Sequence, residues 1–127
     1  MKQVLVQEKY PVFTLEIQKE ETIYKSCSEI IAYLKDKIDA HKVAVFISIF
    51  DHFSHTKNLE NGEVNPDIKD AQNIVFCFGA KLPNAGVMAV RPRSIGVTEF
   101  EDNFIINFLE PPMPLATKAM EEWVKSL

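Results

Sequence analysis

Val43-Ala-Val-Phe-Ile-Ser-Ile-Phe50 and Asn73-Ile-Val-Phe-Cys-Phe-Gly79 are the stretches whose reading decides the fold. Both are short, apolar almost throughout and rich in β-branched and aromatic residues, the composition of strands buried in a sheet. The first runs out into Asp51-His52-Phe53-Ser54-His55. Two histidines and a carboxylate therefore stand where a core strand meets a loop.

Outward from this pair, the segments follow a consistent order. Upstream, Phe13, Leu15 and Ile17 alternate with Val12, Thr14 and Glu16, a period of two that predicts a strand with one face on the core. Residues 1–9, with Val4 and Val6 among polar neighbours, read either as an extra edge strand or as a frayed extension. Ser26-Cys-Ser-Glu29 fits a capping box. The helix it opens carries Cys27, Ile30, Ile31, Leu34 and Ile38 on one face and is expected to end near His41 or Lys42, where a positive group favours the helix dipole.

Downstream, Thr56–Asp70 is polar and holds Asn-Gly and Asn-Pro steps, which predict a long loop with at most one helical turn. Lys81–Gly86 reads as a turn before a strand at Val87–Arg91, and Asn103–Leu109 as a further apolar strand. Pro111-Pro-Met-Pro114 blocks sheet pairing and prepares a helix start. Leu115, Ala119, Trp123 and Leu127 then repeat every four residues. The predicted order is β-α-β-β-β-β-α. Runs of consecutive strands imply an α+β antiparallel sheet with its helices on one face, in a single domain over residues 1–127.

Composition narrows the function classes. Fourteen basic against eighteen acidic residues give a net charge of −4, the opposite of a nucleic-acid footprint. No apolar run approaches the roughly 20 residues of a membrane span, and no dense basic amphipathic face suits an anionic lipid surface. The N-terminus lacks a secretory pattern, so the expected location is cytoplasmic. Cys27 and Cys77 are too few for a disulfide framework and read as small buried hydrophobes.

Phe50-Asp51-His52 after an apolar strand, then Phe78-Gly79, then a glycine turn leading to Met88, resembles domain-of-unknown-function family 302, a family of bacterial and archaeal proteins. The resemblance covers roughly Tyr10 to Trp123. It implies a curved sheet of the TATA-box-binding-protein-like class, often as a dimer. It brings no reaction, and this chain departs from the family pattern at Ala80-Lys81-Leu82, at Gly86-Val87-Met88 and at Phe108.

Two sets of residues carry chemistry. Asp51 and His52 are the candidate acid–base pair, and His55 adds a second imidazole three residues on. The plainer reading makes Asp51 a turn former and His52 a ring packed on the sheet. A metal site is not expected, because no Cys-x-x-Cys or comparable ligand framework accompanies the histidines. Arg91 and Arg93 suit a bidentate grip on a carboxylate or phosphate, although surface pairing with Glu99, Glu101 or Asp102 explains them more simply and is the favoured reading. Phe46, Phe76, Phe78, Phe104, Phe108, Met88 and Trp123 read as core, with a gap beneath the helices or a dimer interface as further uses. The expected protein is a cofactor-free binding or interaction module, a homodimer, holding a small acidic or aromatic ligand near His52, His55, Arg91 and Arg93. The alternative is a small-metabolite enzyme built on Asp51 and His52.

Overall fold

A computed structural model describes all of residues 1–127. Strands β1 (Lys2–Val6) and β2 (Tyr10–Gln18) lead to helix α1 (Cys27–Ala40); β3 (Val45–Phe50), the short α2 (His52–Lys57) and β4 (Asp70–Cys77) follow. Strands β5 (Arg93–Glu99) and β6 (Asn103–Leu109) precede the last helix, α3 (Pro114–Lys125). All six strands form one antiparallel sheet in the order β1-β2-β6-β5-β4-β3. No helix is long and apolar enough to cross a membrane.

The core forms where the apolar face of the sheet meets α1 and α3. Ile74 and Phe76 of β4, Ile95 and Val97 of β5, and Phe104, Ile106 and Phe108 of β6 are buried there, together with Ile30, Ile31, Leu34 and Ile38 of α1 and Met120, Trp123 and Val124 of α3. Helix α1 starts as its sequence suggests, with Ser26 Oγ accepting the Glu29 N–H at 3.2 Å. The returning carboxylate bonds the Lys25 N–H at 2.6 Å. Glu99 ties the helix start to the sheet, since Oε1 accepts the Cys27 N–H and Oε2 pairs with Lys19 Nζ, both at 2.8 Å.

At the other end of α1, His41 contributes a hydrogen-bond acceptor. Its Nδ1 accepts the N–H groups of Val43 and Ala44, each at 3.1 Å. The ring packs edge-on against Phe78 and Trp123.

Several segments differ from the sequence expectation. Val87–Arg91 is not a strand: Ala85–Ala89 forms a 3₁₀ turn in which the Val90 N–H bonds Val87, and the strand begins at Arg93. The apolar residues there have no neighbouring strand to pair with. His52–Lys57 is helical, because Asp51 caps it. Residues 2–6 form a true edge strand, reached through a turn in which Gln7 and Glu8 take the left-handed conformation (φ 54° and 60°).

The cysteines differ in kind. Cys27 is fully buried, with Sγ 3.3 Å from the Val97 carbonyl, and Cys77 is half-buried on the other face of the sheet. Burial, reinforced by the charges of Asp70 and Glu99, pushes the Cys27 thiol from 9.0 up to about 12. A thiol reagent at pH 8 is therefore expected to label Cys77 and to spare Cys27 until the chain unfolds, as peptide mass spectrometry would show. Because the folded-state value is raised, the stability conferred by the neutral thiol is complete below about pH 9 and is lost as pH rises towards 12. Cys27→Ala should flatten that alkaline decline; labelling of Cys27 in the native state would contradict the assignment.

Candidate functional site

The two arginines of this chain, Arg91 and Arg93, meet at one cavity. Arg93 begins β5 opposite Phe76, so strand alternation turns it to the helix face of the sheet. Its Nη2 donates to the Leu109 carbonyl and its Nη1 to that of Val90 at 3.3 Å, while Nε is buried without a partner. Burial pushes this guanidinium below its ordinary pKa, since desolvation penalises the charged form. An arginine nevertheless keeps its proton at any working pH, so the cost of burying the charge persists.

Arg91 lies beside Gly79 and donates from Nη1 to the Lys81 carbonyl. A Cβ on Gly79 would stand 2.5 Å from Nη1 and 2.9 Å from Nε, so only glycine leaves room for this guanidinium. Neither arginine is ion-paired. Glu99 is taken by Lys19, Asp39 by Lys35 and Glu121 by Lys125. Glu110, closest in sequence to the cavity wall, accepts from Gln3 at 3.0 Å instead. The carboxylates that the sequence offered as partners are thus engaged elsewhere or do not reach the arginines.

The cavity measures about 280 Å³. Phe78, Val87 within the 3₁₀ turn and Val90 just after it supply apolar wall; Pro111, Pro112, Met113 and Ala116 close it from the start of α3. That helix has Pro114 in its first turn and no side-chain cap, and the N–H of Thr117 reaches Met113. The positive end of its dipole adds to the two guanidinium charges. No acidic residue lines the space.

The histidines lie elsewhere. Phe50 faces the side of the sheet away from α1 and α3, paired with Asn73, and the rings of His52 and His55 each pack 5.1 Å from it. His52 borders a second cavity of about 330 Å³ between α2, the loop through Glu63, Asn65 and Ile68, and Ala71 and Thr98 of the sheet. Asp51 is occupied as the cap of α2, with its two oxygens accepting the Ser54 N–H at 3.1 Å and the Ser54 hydroxyl at 2.9 Å. It bonds neither histidine. The expected grouping of His52 and His55 with Arg91 and Arg93 therefore divides into two places on opposite faces of the sheet. A wide groove along the outer side of α3 is lined by prolines and by lysines and glutamates, charges of both signs that single out no ligand head. No three His, Cys, Asp or Glu side chains come together as a metal cluster.

Sequence reasoning named the arginines but missed Gly79, Val90 and Met113, which give their cavity its shape. The proline run at 111–114 was visible only as a helix start. Nothing local to it signals contact with residues some 20 positions earlier.

In comparison with known proteins, the family model that matches, over residues 1–127, is described as Family of unknown function (DUF6858). This overturns the resemblance to family 302, which rested on short motifs around Asp51-His52 and Phe78-Gly79. No curated protein and no solved structure matches the chain.

Proposed function

Since the chain belongs to the family of unknown function DUF6858, a membership that brings no activity with it, we propose a function from the geometry: binding of a small carboxylate with an apolar body in the cavity at Arg91 and Arg93. The observation that carries this reading is that both arginines of an acidic chain line one apolar cavity without a carboxylate partner. Arg93 holds its charge at the cavity wall against backbone carbonyls alone, an arrangement that an incoming carboxylate would complete. A carboxylate head suits the guanidinium forks, and the apolar body suits Phe78, Val87 and Met113. The space is at the small end of ligand pockets, which run from about 300 Å³ upward, so the ligand is a compact metabolite rather than a dinucleotide.

Calorimetric titration with benzoate, hexanoate, acetate, inorganic phosphate and hexanamide tests this reading. Benzoate or hexanoate is expected to bind at least tenfold tighter than acetate, which lacks the apolar body, and than hexanamide, which lacks the charge. Equal binding of hexanamide and hexanoate, or no binding of any carboxylate at millimolar concentration, would overturn it.

A further inference from the structure

The sheet face turned away from α1 and α3 is nearly free of charge in a chain that is 25% charged. Register places Phe50, Asn73, Gly96, Asn107, Thr14 and Lys2 in one row across all six strands. A second row includes Ser48, Val75 and Ser94 at one side and Leu109, Val12 and Val4 at the other. Lys2 and Glu16 are the charged residues on this face, and both lie on its β1–β2 side. Val4, Val45, Phe50 and Leu109 are exposed on it. An open face that mixes exposed apolar side chains with neutral amides and hydroxyls and carries almost no charge has the charge-depleted composition of an interface core, which points to a partner.

We propose that this face packs sheet-on-sheet against the same face of a second copy, giving a twofold dimer with α1 and α3 outermost. Two features select a second copy. The first is size. Strands about 4.8 Å apart and same-face residues about 6.6 Å apart along each strand give roughly 32 Å² per residue, so the two rows and the uncovered residues beside them make a face of roughly 600 Å² in projection and more over its side-chain relief. That is close to the about 800 Å² per partner of a standard interface. The second is self-complementarity. At the centre, Asn107 Oδ1 and Asn73 Nδ2 lie 3.1 and 3.3 Å from where a Gly96 Cβ would stand. An amide both donates and accepts, so these groups complement themselves across a twofold without any charge meeting its like. Helix α2 and its following loop rise at the Ala71–Thr98 corner and border the packed area. The arginine cavity opens on the other side of the sheet, so this dimer stands or falls independently of ligand binding.

Sedimentation equilibrium of the full chain at micromolar concentration is expected to give twice the 14.5 kDa chain mass. Ser94→Lys and Leu109→Glu, both at exposed positions, should each weaken association at least tenfold with an unchanged circular dichroism spectrum. Labelling of Cys77 should quicken on dilution. A monomer at all concentrations overturns the proposal, as does a dimer that survives both face variants but is lost in Ile47→Lys on the β3 edge. Should one face variant fail to fold, the other decides.

Discussion

Arg93→Met is expected to lower carboxylate affinity about 100-fold, a loss of about 2.7 kcal/mol. A hydrogen bond to a charged group contributes about 1.5–3 kcal/mol, and Arg93 supplies half of the cavity's side-chain charge. The change in stability should stay within about 1 kcal/mol, because two opposing terms nearly cancel. Methionine removes the cost of a desolvated, unpaired charge, while the Leu109 and Val90 carbonyls lose a donor near solvent. Arg93→Lys retains the charge without the fork and should fall between the two. Gly79→Ala, which displaces Arg91 without touching Arg93, should weaken binding several-fold and leave the fold intact. Titration of the four proteins with the best carboxylate, alongside thermal unfolding, gives the answer; an Arg93→Met protein that binds like the parent would remove the site.

Phe78→Ala should be the costliest single change, destabilising the chain by about 3–5 kcal/mol. Phe78 is 5% exposed, stacks on Trp123 at 5.8 Å and meets Phe76 and His41 edge-on at 5.7 and 5.3 Å. It is also a wall of the arginine cavity, so its loss joins that space to a hole in the core rather than permitting collapse. In a chain of this size the melting temperature should fall by roughly 10–20 °C. Phe50→Ala, at a ring 39% exposed on the open face, should cost the isolated chain far less. Denaturant unfolding of both variants makes the comparison, and a Phe78→Ala loss below about 1 kcal/mol would mean that the ring is not held as described.

Most elements were legible because their signals are local. The period of two over Val12–Ile17, the apolar runs at 45–50 and 73–78, and the cap at Ser26 follow from backbone geometry acting on neighbours a few residues apart. The misses have equally physical causes. Strand β1 was ambiguous because its hairpin turn uses Gln7 and Glu8 at positive φ instead of the Asn-Gly that advertises such a turn. Val87–Arg91 looked like a strand by composition, but pairing went to Arg93–Glu99, whose Ile95 and Val97 continue the buried rows of β4 and β6. The helix at 52–57 was hidden because Asp51 read equally well as a turn former.

The candidate site was legible only as a list of residue types. By itself the sequence determined an α+β antiparallel sheet, the core faces of α1 and α3, an acidic surface and two arginines without a fixed role. Tertiary structure alone decided that Glu99 pairs with Lys19, 80 residues away, that Asp51 is used up by Ser54, and that Arg91 and Arg93 meet apolar residues from the start of α3. Periodicity is set by the chain's own short-range geometry, whereas the partner of a charge is set by which groups are brought within a few ångströms and out of water. That choice is made when the sheet closes over its helices.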